Sequence, residues 1–203
     1  MDTWDAEADA IYLHTLAGID PAEPAGPAEL ACAVLGARTL EYARGLRGGA
    51  AIGRVGDGWR LYVRPGLPPE VESHAIGHEL AEWHLRREYD GQIEARADRL
   101  GAALVAPRPA LLAALRAVGE DDAALARAFV VTQPSAALRV AEVTGRPRAV
   151  VTRHWVFVRG APWAWGQSAG DVRQLVRSRR PGLTRTRLRD RPERVVLLAD
   201  DAA

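Results

Sequence analysis

The window His74-Ala-Ile-Gly-His78-Glu79-Leu-Ala-Glu82-Trp83-His84 holds three of the chain's five histidines, with Glu79 and Glu82 among them. A helix turns about 100° per residue, so His74, His78 and Glu82, four apart, line one face within about 80°. Ile76, Leu80 and Trp83 fall on roughly the opposite side, and Ala75, Ala81 and Leu85 flank the polar row. A helix apolar on nearly every side is a buried one. Imidazoles and carboxylates on a buried helix need partners, and a divalent metal ion suits that mixture. A His-x-x-x-His pair alone is a frequent accident of exposed helices, so the metal reading needs a second element.

That element follows at Glu94-x-x-Ala97-Asp98-x-Leu100-Gly101-x-x-Leu104-Val105-x-Pro107. Glu94 stands at the start of a second helix, with Asp98 one turn later on the same side. The small residues Ala97, Gly101 and Ala102 let that helix lie close against another. Close packing is what a short Glu side chain needs to reach an ion held by the first helix.

These residues resemble the ImmA/IrrE-type metallopeptidases, gluzincins with H-E-x-x-H on one helix and a zinc-binding Glu on the next. The family's second helix reads E-x-x-A-[ND]-x-[FL]-[AG]-x-x-[LV]-[LMV]-x-P, and Glu94 to Pro107 follows it. The run WRLYVRPGLPPEVESHAIGHELAEWHL is similar to the family's strand and active helix. RAFVVTQPSAALRVAEV is similar to its later helix, so the resemblance spans about residues 22–145. It implies His78 as first metal ligand, Glu79 as general base and Glu94 as third ligand. Glu82 occupies the place of the second His with a different donor, and shifting the motif back one turn to His74 and His78 puts Ala75 where the base belongs.

Zinc accepts carboxylate oxygen at about 2.0–2.2 Å, so Glu82 is compatible with a site. One imidazole with two carboxylates is a harder, more anionic set than two imidazoles with one. It favours manganese or magnesium more than the usual set does and makes the ion a weaker Lewis acid. His74 is a candidate replacement ligand; His84, about 240° round the helix from His78, is not. The chemistry implied is metal-assisted amide hydrolysis, with Glu79 moving the proton of the attacking water to the leaving amine. The competing structural reading is a metal-free, hydrogen-bonded His/Glu cluster.

The 203 residues suit one compact domain plus an appendage. At 48% hydrophobic and 26% charged, the composition excludes disordered and fibrous classes. No apolar run approaches the roughly 18 residues of a membrane span. The acidic opening MDTWDAEADA is unlike a secretory signal, and the single Cys32, in the apolar run AELACAVLG, reads as a core residue. The expected location is the cytoplasm. Net charge is +1, yet residues 1–138 hold 13 Arg against 20 acids, and residues 139–203 hold 14 Arg against 6. All 27 basic residues are Arg, a pattern of GC-rich coding that weakens Arg richness as a sign of nucleic-acid binding.

The elements that must position the site follow from periodicity and punctuation. Asp5 to Leu16 reads as a helix with Ala8, Ile11, Tyr12 and Leu16 at helical spacing, and a second helix starts at Pro27. ARTLEYA, GAAIGRV and WRLYVR read as strands, the last two joined by a turn at Gly-Asp-Gly. Helices are expected over Pro69–Tyr89, Gln92–Ala106, Pro109–Gly119, Asp121–Val130 and Pro134–Gly145. Then come a strand RAVVTRHWVFV turning into PWAW, a short helix DVRQLVRS, and an Arg-rich arm with one strand, RVVLLA. Trp155, Trp163 and Trp165 suit a small β cap.

The expected fold is α+β: a zincin-like helical bundle with a small, mainly antiparallel sheet over residues 1–145, and a basic, β-rich extension over 146–203. The resemblance implies a zinc or manganese endopeptidase cutting a helix-turn-helix repressor. Two other functions fit the same residues: a metallopeptidase-like protein that binds a regulatory partner without cutting it, and a nucleic-acid-associated regulator acting through the basic arm.

Overall fold

Caps written in the sequence mark where the helices begin. In the computed structural model, which describes residues 4–37, 40–86, 93–146, 148–151, 156–159, 183–188 and 191–199, Asp5 caps α1 (Ala6–Leu16) by accepting from the Glu7 backbone N–H at 2.9 Å. Pro27 opens α2 (Pro27–Leu35), and Gly36 closes it at φ 63°, a left-handed cap that glycine adopts at little cost. Pro69 opens α3 (Pro69–Leu85), which is followed by α4 (Ile93–Val105) and α5 (Arg108–Val118). Asp121 caps α6 (Asp122–Ala128) by accepting from two backbone N–H groups.

The chain is α+β and divides into two compact units, Met1–Thr132 and Gln133–Ala203. In the first, β2 (Ala50–Val55) and β3 (Gly58–Val63) form the expected hairpin. Val55 pairs with Gly58 across a two-residue turn whose Gly56 has φ 60°. The sheet is mixed rather than mainly antiparallel, because β1 (Leu40–Tyr42) lies parallel to β3 in the order β1-β3-β2. The hairpin takes one edge of β3. The loop between β1 and β2 reverses the chain, so β1 runs along the other edge in the direction of β3.

Leu13 of α1, Leu30 of α2, Leu61 of β3, Ile76 and Leu80 of α3, and Leu100 and Leu104 of α4 are buried in one core. Cys32 packs against its margin. The face α1 turns inward differs from the periodic reading: Ile11, Tyr12 and Leu16 are exposed, while Ala10, Leu13 and His14 are buried. The inward histidine donates from Nε2 to the Leu104 carbonyl of α4 at 3.0 Å, while its Nδ1 is buried without a hydrogen-bond partner among the described residues. Helix α3 ends at Leu85 instead of reaching Tyr89, and the expected Tyr-Asp-Gly turn lies outside the described residues.

In the second unit, α7 (Gln133–Thr144) precedes β4 (Arg148–Val151), β5 (Val156–Arg159), β6 (Leu183–Leu188) and β7 (Arg191–Ala199). These strands form an antiparallel sheet in the order β5-β4-β7-β6. The single long strand expected over RAVVTRHWVFV is instead two strands paired with each other, Val151 opposite Val156, with the reversal falling between them. In the Arg-rich arm, where RVVLLA was the one strand-like run read from sequence, LTRTRL also forms a strand, paired with β7. Trp155, Trp163, Trp165, the PWAW run and the expected helix DVRQLVRS lie outside the described residues. Among the described residues no single helix is long and apolar enough to cross a membrane.

Candidate metal centre

Two glycines bring the site-bearing helices into backbone contact. A Cβ on Gly101 of α4 would stand 3.0 Å from the Gly77 carbonyl carbon and 3.0 Å from the His78 nitrogen. A Cβ on Gly77 of α3 would stand 2.8 Å from Val105 Cγ2 and 3.0 Å from the Gly101 oxygen. No side chain fits between the helices there, and buried Ala97 continues the flat surface on α4. The small residues therefore do what their spacing predicts: they seat α4 against α3 at the level of His78.

Across this crossing His78 meets both acids of α4. Its Nδ1 lies 2.9 Å from Asp98 Oδ1, and its Nε2 lies 3.5 Å from Glu94 Oε2. An ionised carboxylate only accepts, so Nδ1–H donates to Asp98, and Nε2 is the ring atom that faces Glu94. The Glu94 side chain is 84% exposed, so water also reaches its carboxylate. Two ligands of one tetrahedral zinc ion, each at about 2.0–2.1 Å, stand about 3.3 Å apart. The pair thus has the spacing of two ligands of one ion. A carboxylate on the far ring nitrogen is also the usual way proteins orient a metal-binding imidazole.

Glu82, the expected further ligand, is turned elsewhere. Its Oε1 accepts from Arg86 Nη2 at 2.5 Å and from Arg86 Nε at 3.1 Å. Among the described residues no group of three His, Cys, Asp or Glu side chains stands ready to hold a metal ion. Of the expected ligands only His78 and Glu94 face each other, and Glu82 would join them only on leaving Arg86. His74 is exposed, its ring centroid 6.3 Å from that of His78. His84 faces away from the cluster toward α1, with Nε2 3.7 Å from Asp9 Oδ2 and its ring beside Tyr12.

Glu79 sits next to this cluster, half buried. Burial pushes its carboxyl pKa up, the charge of Glu82 adds to this and Glu94 contributes less; His78 and Arg86 pull the other way. The folded protein therefore holds the Glu79 proton more tightly than the unfolded chain does. Stability falls as pH rises through the window between the ordinary carboxylate value and the raised one, and stays lower above it. Glu79→Gln removes that cost. In metal-free protein its melting temperature is expected to exceed wild type at pH 7, with the difference closing in acid below the ordinary carboxylate range. Paired thermal melts at the two pH values check this.

Asp98, which the sequence reading left without a role, is the acid that meets His78 Nδ1. Its signal was the four-residue step from Glu94, which puts both acids on one face of α4 but does not say which histidine nitrogen each meets. Asp98→Ala is expected to weaken zinc binding about 10- to 100-fold by freeing the His78 ring, as a competition titration would show.

No family model matches the chain, and no curated protein matches it. Among solved structures the chain is similar to a Mycobacterium tuberculosis transcriptional regulator, at 15% identity and a TM-score of 0.63. The match covers 97% of this chain and 76% of that one. At that identity the likeness is one of fold.

Proposed function

We propose that the first unit is a zincin-like, metal-dependent endopeptidase domain that cleaves a regulatory protein, the residues after its helical bundle forming a β-rich extension. The observation that carries this reading is the His78 Nε2 to Glu94 Oε2 approach of 3.5 Å, with Asp98 fixing the ring from behind. His78 and Glu94 would hold zinc or manganese, joined by Glu82. Such an ion, when bound, supplies a Lewis acid for the scissile carbonyl and for water. Glu79 then has two tasks: it takes a proton from the attacking water and delivers it to the amine nitrogen as the C–N bond breaks. The resemblance to ImmA/IrrE-type peptidases supports a helix-turn-helix repressor as the substrate and a cytoplasmic setting. A structural neighbour that is a transcriptional regulator agrees with a role in gene control.

One observation favours a second reading. With Glu82 paired to Arg86, the fold could serve as a binding module that grips the same partner without cutting it. Incubating the full chain with zinc and a purified helix-turn-helix repressor from the same organism separates the two. Cleavage into two fragments, stopped by a chelator, supports the peptidase. An intact repressor that co-elutes with the chain supports the binding module, and an intact repressor that does not co-elute contradicts both.

A further inference from the structure

We propose that the outward face of α1 is a docking surface for a basic, amphipathic α-helix of a partner protein. The inference goes beyond the peptidase reading and does not depend on it.

Helix α1 is apolar on two opposite sides. At about 100° per residue, Ala10, Leu13 and Ala17 point one way, while Ala8, Ile11, Tyr12, Thr15 and Leu16 spread over about 140° on the other. The first side is spent on the core, where Ala10 and Leu13 are buried. The second faces solvent: Ile11 is 38% exposed, and Tyr12 and Leu16 are 55% exposed each. A surface helix normally turns charged side chains outward, and one exposed apolar residue there is ordinary. On α1 the outward arc holds no charged residue, and three large apolar side chains share it. An exposed apolar patch rimmed by polar groups marks an interaction site. The Tyr12 ring leans on the His84 ring of α3, 6.2 Å between centroids, which reduces the side-chain entropy lost on docking.

The charge around the face selects the occupant. Residues 1–37 hold 7 acids and no Arg or Lys. Asp5, Glu7 and Asp9 stand at the start of α1, and exposed Asp20 and Glu23 follow its end. Arg96 and Arg99 of α4 reach the first end, over the Trp4 ring, but among the described residues no base pairs with Asp20 or Glu23. An apolar strip with acids at both ends matches a helix that has apolar residues at i, i+3, i+4 and i+7 and Arg or Lys beside them. A second copy of this chain is the wrong occupant, because pairing two α1 faces in either direction brings acids onto acids. A bilayer with anionic headgroups is disfavoured for the same reason.

Fluorescence anisotropy of the full chain with a labelled helical peptide of Leu, Ala and Arg, its Leu at i, i+3, i+4 and i+7, tests this. Saturable binding is expected, at least about 10-fold tighter than for the same residues in scrambled order or for a peptide with Glu in place of Arg. Leu16→Arg and, separately, Tyr12→Ser should each weaken it about 10-fold or more, since a few central side chains carry most of an interface's energy. Asp20→Asn combined with Glu23→Gln should weaken it about 2- to 5-fold and flatten its salt dependence. No saturable binding, equal affinity for the scrambled peptide, or equal affinity of Leu16→Arg and wild type overturns the proposal. So does binding to phosphatidylserine vesicles in place of the peptide. Sedimentation equilibrium of the chain alone decides the remaining occupant: a monomer agrees with the proposal, and a dimer that Leu16→Arg dissociates contradicts it. Far-UV circular dichroism checks the fold of each variant; should Leu16→Arg unfold, Tyr12→Ser and the Asp20/Glu23 pair carry the test.

Discussion

On the proposed peptidase reading, Glu79→Gln is expected to lower the rate of repressor cleavage about 10²- to 10⁴-fold while leaving metal content unchanged. The amide keeps the size of the carboxylate but can neither take a proton from water nor return one to the amine, and general acid–base catalysis is worth about that much. Glu79 is not one of the proposed ligands, so the substitution removes proton transfer without removing a ligand. The same variant is expected to be the more stable protein at neutral pH, because burial and Glu82 disfavour the Glu79 charge. A loss of turnover joined to a gain in melting temperature is the pattern of a group kept for chemistry at the expense of stability. Steady-state cleavage and metal content, measured on one preparation, check the prediction. Unchanged turnover would remove Glu79 from the mechanism.

Gly101→Val is the second large effect. The atoms that a Cβ at this position would meet are backbone, Gly77 C and His78 N, both at 3.0 Å, and backbone cannot rotate aside as a side chain can. Valine gains a few tenths of a kcal/mol over glycine in helix propensity. Overpacking at a close crossing costs about 1–3 kcal/mol or more, so the crossing wins. The first unit is expected to melt several degrees lower. The function should suffer further, because α4 must move outward and carry Glu94 and Asp98 away from His78. Zinc binding should therefore fall in the fraction that remains folded. Gly101→Ala, which adds only the Cβ, should give a smaller shift in the same measurements.

Much of this arrangement was legible in the residues themselves. His78 and Glu94 were readable because a motif and a second block agree, and Gly101 because a small residue in an apolar helix implies close approach. The hairpin at Gly56 was readable from its turn chemistry. What was missed depends on partners distant in sequence. Ile11, Tyr12 and Leu16 have the spacing of a core face, but α1 docks through Leu13 and His14, whose ring meets the Leu104 carbonyl ninety residues away in sequence. LTRTRL is rich in Arg, yet its backbone pairs along β7, and pairing outweighs composition. The Glu82 position aligned with a ligand. The competing i,i+4 step from Glu82 to Arg86 was equally visible, but only coordinates show which partner the carboxylate faces.

One number tests the site most directly: the zinc bound per chain after equilibrium dialysis, for wild type and for Glu94→Ala. A shared cation between the His78 imidazole and the Glu94 carboxylate predicts about one zinc per wild-type chain and almost none in the variant. Equal zinc in the two proteins, or a wild-type chain that stays metal-free at saturating zinc, would contradict it.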